Sequence, residues 1–272
     1  MYEIKAEKIY IKTNNGRMPG IILSPKGITP SCGVLWIHGG GYFLGMKEMV
    51  YMSRAMDLVK KYGALVLSPG YRLAFTKPYP AAINDCYAAL EYIKNNSDKL
   101  NVPPDKIMVG GESAGGGLAA ALCIMARDKG EINIAFQMPL YPMIDNFDTP
   151  SSANNHGRIW NTKRNHIGWG LYLRRDKDKD VPPYAAPSRE QNFTGLPPAY
   201  TFVGDGEPFY FETLEYIKKL NDAGIEAKAD VYHTDMHAFD MLRPKDEISI
   251  LAAEKFNAEF ERALKTYFAP QK

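Results

Sequence analysis

Between residues 110 and 117 the sequence reads GGESAGGG, so that Gly111, Glu112, Ser113, Ala114 and Gly115 form the pattern G-x-S-x-G. The apolar run KIMVGGE (106–112) precedes Ser113 and reads as a strand, and GLAAALCIMARDKG follows it and reads as a helix. A serine on so tight a strand-to-helix turn is presented on strained backbone, and its neighbours must be small to avoid clashes. The helix N-terminus beyond it offers free N–H groups and the positive end of a dipole, where a developing oxyanion would be stabilised. The chemistry such a serine could do is acyl transfer through a covalent intermediate, provided a general base can take its proton. The competing reading is a glycine-rich turn, which the order strand, serine, glycines, helix disfavours.

A second glycine cluster stands upstream. In WIHGGGYFLG (36–45), His38 precedes Gly39, Gly40 and Gly41 at the exit of a strand. Three glycines let the backbone approach a substrate carbonyl closely with its N–H groups turned inward. With the N–H of Ala114, those of Gly40 and Gly41, with Gly39 as the alternative, could form a three-donor oxyanion hole. No G-K-[ST] follows, and the spacing is not G-x-G-x-x-G, so nucleotide phosphate is disfavoured. His38 reads as an orienting residue of the loop rather than a base.

The base is expected near the C-terminus, where VYHTDMHAFD (231–240) offers His233 and His237. His233 reads as part of a strand and therefore as structural. His237 sits in a turn before the last helix, where an imidazole can project over the sheet, and is favoured. His156 and His166 precede every suitable acid and are weak candidates. For the acid, AYTFVGD (199–205) runs into GEPFYFET and offers Asp205 and Glu207. Either could accept the imidazole N–H, hold its tautomer and stabilise the imidazolium. Either could equally cap the helix after Pro208, and spacing alone leaves the choice between them open.

These residues need a scaffold that brings strand ends together. Apolar, β-branched runs at 7–13, 19–25, 33–39, 64–71, 106–112, 133–141, 199–205 and 227–233 read as eight strands. Helical patterns fall at about 48–61, 80–96, 115–128, 209–223 and 247–266. Several strands are apolar on both faces, as a sheet covered by helices on both sides requires, and the alternation implies parallel crossovers. The first two strands have no room for a crossover helix and are expected to pair antiparallel. Residues 145–190 break the rhythm: they are polar, rich in turn residues and contain Trp160, Trp169, Leu171 and Tyr172, which could form one apolar face. An insertion of that length suggests a small cap on a single domain spanning 1–272. The run RRDKDKD (174–180) reads as a solvated turn.

Composition removes other classes. The chain has 272 residues, 45% hydrophobic and 24% charged, with a net charge of +2 and no basic block, so nucleic acid and anionic membrane are not expected partners. Cys32, Cys86 and Cys123 lie apart in apolar runs and read as small buried thiols, not as a disulfide framework or a zinc site. The N-terminus shows no signal-peptide pattern and no stretch approaches a membrane span, so a cytoplasmic location is expected.

The motifs together resemble the hormone-sensitive-lipase-like branch of the α/β-hydrolase carboxylesterases, with its HGGG loop and G-D-S-A-G-G elbow. WIHGGGYFLG, YRLAFTKPYPAAINDCYAAL, GGESAGGGLAAAL, PPYAAPS and GLPPAYTFVGD are similar to that family's segments, so the likeness runs from about residue 33 to 262. The resemblance implies an α/β-hydrolase fold: a mostly parallel eight-stranded sheet with helices on both faces and a small cap insertion. It also implies the order Ser113, acid, His237. In the family the acid stands directly before a proline, which registers Glu207 rather than Asp205 with it. The implied activity is hydrolysis of small short-acyl esters; from composition, the aromatic residues around the cap would suit an acetylated sugar or similar small ester, and the acyl-transfer mechanism calls for no metal or organic cofactor. Relatives often pair through the sheet edge, although no residue here requires a homodimer. Three departures stand out: Glu112 replaces the usual Asp, Phe211 replaces a second Asp of the acid motif, and the family's N-terminal helical cap has no counterpart before the first strand. Two rival readings are a peptidase of the same fold and a non-catalytic ligand-binding relative.

Overall fold

The computed structural model describes residues 1–174 and 180–271. Eight strands, β1 (Ile4–Thr13), β2 (Gly16–Pro25), β3 (Gly33–Ile37), β4 (Leu65–Pro69), β5 (Ile107–Glu112), β6 (Phe136–Leu140), β7 (Ala199–Gly204) and β8 (Ala227–Tyr232), form one sheet. Their spatial order is β1-β2-β4-β3-β5-β6-β7-β8. From β4 to β8 all neighbours are parallel, whereas β2 runs antiparallel to both β1 and β4. The fold expected from the sequence is the one observed, with a second antiparallel pairing added by β2.

The helices are α1 (Ala55–Tyr62), α2 (Ala81–Asn95), α3 (Ser97–Leu100), α4 (Ala114–Lys129), α5 (Thr162–Tyr172), α6 (Tyr210–Asp222), α7 (Phe239–Leu242) and α8 (Glu247–Thr266). Two apolar layers sandwich the sheet. Side chains of α2, α4 and α6 pack on one face, and those of α1 and α8 on the other. Every residue of α4 from Ala114 to Ala126 is buried. Its small residues make that depth attainable, because a helix lined with Gly and Ala can lie close to both the sheet and α2.

Local chemistry explains where boundaries differ from the pattern. The helix expected at 48–61 is broken in two, a 3-10 segment Lys47–Met52 followed by α1. Ser53 makes the break, since its hydroxyl donates to the Val50 carbonyl (2.9 Å) and accepts the Ala55 N–H (3.2 Å). The strand expected at 133–141 shortens to Phe136–Leu140, and β1 and β2 pair over their full ten residues each, longer than their apolar stretches. Most residues of β1 face solvent, so its pairing with β2 rather than an apolar pattern defines that strand's length.

Between β6 and β7 the segment that interrupts the alternation contains α5, started by Asn161, whose side chain accepts the Arg164 N–H at 3.1 Å. Trp160, Trp169 and Tyr172 are buried and Leu171 half-buried. Tyr172 stacks on Tyr42 at 4.0 Å, which ties this segment to the glycine-rich loop after β3. Most of the charged run 174–180 lies outside the described residues. Among the described residues no helix is long and apolar enough to cross a membrane.

Candidate active site

Ser113 stands where β5 ends and α4 begins, with φ 56° and ψ −120°, a conformation that costs a non-glycine residue energy. Surrounding backbone holds it there: its N–H donates to Leu140, and its carbonyl accepts from Gly117 and Met143, all at 2.9–3.0 Å. The turn brings α4 against the exit of β3 so closely that a Cβ on Gly115 would lie 2.0 Å from the Ile37 carbonyl oxygen. That contact is the physical content of the second glycine in the motif.

The Ser113 hydroxyl donates to His237 Nε2 at 2.9 Å. His237 Nδ1 donates in turn to Glu207 Oε2, and Glu207 Oε1 accepts the Gly204 N–H at 2.7 Å. A carboxylate oxygen facing Nδ1 leaves Nε2 as the unprotonated nitrogen, the tautomer able to accept the serine proton. All three side chains are buried. Phe209 and Tyr141 meet the imidazole edge-to-face at 5.0 and 5.1 Å, so the ring is held between aromatic walls.

Asp205 and His233 form a separate pair 2.8 Å apart on the surface, where the His233 side chain is 99% exposed. The expectation that His233 belongs to a strand is corrected, since β8 ends at Tyr232 and His233 points into solvent. Asp205 also accepts the Thr234 N–H at 3.1 Å, which turns its carboxylate outward while Glu207, two residues on, turns inward. The hydrogen bond that His233 donates to the Asp205 carboxylate raises the His233 pKa. His156 and His166 lie on the α5 segment, and His166 pairs with Asp148.

The glycine loop is ordered by its carbonyls. The Gly40 carbonyl accepts from Phe43 and Leu44 (3.2 and 2.9 Å), and the Gly39 carbonyl accepts from His38 Nδ1 at 2.8 Å. In a trans peptide the following N–H points the opposite way, so the N–H groups of Gly40 and Gly41 face away from these donors. Ala114 follows the same logic, because the Ser113 carbonyl is taken by Gly117 and Met143. Gly39, Gly40, Gly41, Ser113 and His237 line one cavity of about 290 Å³. His38 serves the loop from below: it stacks on Tyr71 at 4.3 Å, and burial lowers its pKa to about 4, which keeps the ring neutral.

Beneath the site lies a buried polar group with little trace in the sequence. Trp36 Nε1 donates to Glu112 at 2.8 Å, and burial raises the Glu112 pKa to about 8, with the Asp240 charge adding to the shift. Asp240 accepts from the Tyr141 hydroxyl at 2.9 Å and pairs with Arg54 at 3.1 Å, yet burial still raises its pKa. A glutamate closing an apolar strand was the one available signal, and Arg54 and Asp240 are too far apart in sequence to suggest each other. Phe211, which replaces the family's second Asp, is partly exposed, whereas the next residue, Glu212, is buried and accepts the N–H groups of Ile144 and Asp145 at 2.7 and 3.1 Å.

Comparison with known proteins agrees with this architecture. A family model described as alpha/beta hydrolase fold matches residues 34–241. Esterase LipI of Mycobacterium tuberculosis is 31% identical over 208 residues, 76% of this chain and 65% of LipI, so the chain spans just under two thirds of that relative. An arylesterase of Saccharolobus solfataricus is 28% identical over 84% of this chain and 75% of its own. Among solved structures, a bacterial heroin esterase superimposes with a TM-score of 0.89 at 31% identity, covering 96% of this chain and 84% of that one. With the glycine loop, the serine turn and the sheet order all in place, the chain belongs to the hormone-sensitive-lipase-like carboxylesterase family of the alpha/beta hydrolase fold.

Proposed function

We propose that the protein is a serine carboxylester hydrolase in which Ser113, His237 and Glu207 form the triad. His237 Nε2 takes the Ser113 proton as Oγ adds to the ester carbonyl, and the N–H groups of Gly40, Gly41 and Ala114 hold the oxyanion. The imidazolium, steadied by Glu207, then gives that proton to the departing alkoxide. Water repeats the sequence on the acyl-serine and releases the acid. The observation that carries the reading is the unbroken hydrogen-bond chain from Ser113 through His237 to Glu207 beneath the glycine loop.

Segment 145–190 acts as the cap of a single domain in this reading, because its tryptophan and tyrosine side chains pack on the glycine loop. The substrates are small and apolar rather than sugar-like. Apart from the triad and the glycine-loop N–H groups that the oxyanion would occupy, the lining polar side chains have partners, Glu112 in Trp36 and the Tyr141 hydroxyl in Asp240, so a sugar's hydroxyls would lose water with few partners to gain. Three reduced, buried cysteines fit the cytoplasm as its compartment.

The test is hydrolysis of p-nitrophenyl acetate by wild type and variants. S113A, H237A and E207Q are expected to lose about 10³-fold or more in kcat, with D205N and H233A within about twofold of wild type. Full activity in S113A, or equal losses in D205N and E207Q, would overturn the assignment.

A further inference from the structure

Glu207 fixes the His237 ring through Nδ1, but it does not fix the backbone that carries the ring. His237 leads through Ala238 directly into α7, a helix of a single turn. So short a helix has too few internal hydrogen bonds to hold itself, and contacts outside it must set its position. Ala238 adds to the demand with φ 57°, a left-handed conformation that is costly for a residue with a Cβ.

The outside contacts converge on Asp240, which follows His237 by three residues and is fully buried. Its Oδ1 accepts the Tyr141 hydroxyl at 2.9 Å, and its Oδ2 stands 3.1 Å from Arg54 Nε. Arg54 also donates to the Asp240 backbone carbonyl at 3.4 Å, so the guanidinium meets both the side chain and the main chain of this residue. Arg54 directly precedes α1 and Tyr141 directly follows β6. The turn carrying His237 is thereby tied to two elements of the framework. Tyr141 reaches His237 by a second route, because its ring meets the imidazole edge-to-face at 5.1 Å. The Tyr141 backbone is itself strained, with φ 34°, and its N–H is held by the Phe202 carbonyl at 3.1 Å. Ser113, Tyr141 and Ala238 thus share a positive φ and line one cavity. Such strain persists only where the surroundings over-determine it, and it gathers where geometry serves function. A buried ion pair is by itself weak evidence of a contribution to stability, which leaves position as the use of this one.

We infer that Asp240 is a positioning residue of the reaction: through Tyr141 and Arg54 it sets where His237 Nε2 stands relative to the serine oxygen and the leaving oxygen. This rests on the serine hydrolase reading above. Glu207 sets the tautomer of the ring, and Asp240 sets its place. From that one place His237 must take the Ser113 proton and return it to the leaving oxygen. The second transfer matters more as the leaving group becomes more basic. p-Nitrophenolate departs readily without a proton, whereas phenolate needs one.

The test compares kcat/KM on p-nitrophenyl acetate and phenyl acetate, which share the acid and differ little in the size of the alcohol. A misplacement of about 1 Å can cost about 100-fold, so Asp240→Ala is expected to lower kcat/KM by about 100-fold on phenyl acetate but only about tenfold on p-nitrophenyl acetate. Asp240→Asn can still donate to or accept from the Tyr141 hydroxyl and should stay within about threefold of wild type on both esters. Tyr141→Phe keeps the ring and breaks the link, so the phenyl-to-p-nitrophenyl ratio should fall about threefold or more. That variant decides the matter should Asp240→Ala not fold. A smaller folded fraction would lower both esters by one factor and leave the ratio where it was. Folded Asp240→Ala or Tyr141→Phe protein with the wild-type ratio overturns this inference alone, as does Asp240→Asn protein as impaired as Asp240→Ala. A wild type that cleaves neither ester overturns the hydrolase reading instead.

Discussion

Glu112 offers a quantitative test of how the buried polar group beneath the serine affects the fold. Its carboxyl is buried beside Asp240, and its pKa rises from the ordinary 4.5 to about 8. The folded protein therefore keeps a proton that the unfolded chain has released across that interval. A neutral Glu112 contributes its stability fully below about pH 4.5, and that contribution is lost as the pH climbs through about 8. At about 1.4 kcal/mol per pH unit the whole interval amounts to roughly 5 kcal/mol, about half of it between about pH 6 and about pH 8. Glu112→Gln retains an acceptor for the Trp36 N–H and cannot ionise. Groups not coupled to Glu112 titrate equally in both proteins, so the difference between variant and wild type reports this carboxyl together with its coupling to Asp240. Thermal melts followed by circular dichroism from about pH 5 to about pH 9.5 are expected to show E112Q gaining about 5 °C on wild type between about pH 6 and about pH 8 and levelling off above about pH 9. A difference that stays constant with pH would show that Glu112 ionises in the fold as it does in water, and the argument from burial would fail.

Three further outcomes are expected. His38 carries the opposite sign, because its pKa is lowered to about 4 by burial; wild type should lose roughly 3 kcal/mol as pH falls from about 6.5 to about 4, and His38→Asn should flatten that limb in urea titrations. Arg72 binds the buried Asp85 through both Nε and Nη2 at 2.8 Å, so Arg72→Met leaves that carboxylate only the backbone N–H of residue 72 and should lower stability by about 3 kcal/mol, read as a lower urea midpoint with an unchanged m value. Gly41 has φ 59° and no space toward Trp160, so Gly41→Ala must displace the indole or the loop; kcat on p-nitrophenyl acetate should fall at least tenfold, roughly, with a shift in tryptophan emission, and a G41A protein with full activity would refute the close contact.

The strand, serine and helix around Ser113, the glycines of residues 39–41 and the sheet's alternation were all legible because each is a local requirement. A strained turn admits only small neighbours, and a doubly covered strand must be apolar on both faces. The choice between Glu207 and Asp205 was not local. Both follow the same strand, and only the turn at Gly204–Glu207 sends one carboxylate beneath His237 and the other into solvent beside His233. Nor could the sequence locate Trp160, since its contact with Gly41 joins residues 119 positions apart and depends on how α5 packs against the glycine loop. Arg54, Tyr141 and Asp240 meet for the same reason. Sequence alone determined which residue types stand at turns and strand ends, because backbone sterics and burial act on near neighbours. Which of those residues share a site was decided by the tertiary structure, because hydrogen bonds and van der Waals contact act over a few ångströms whatever the separation along the chain.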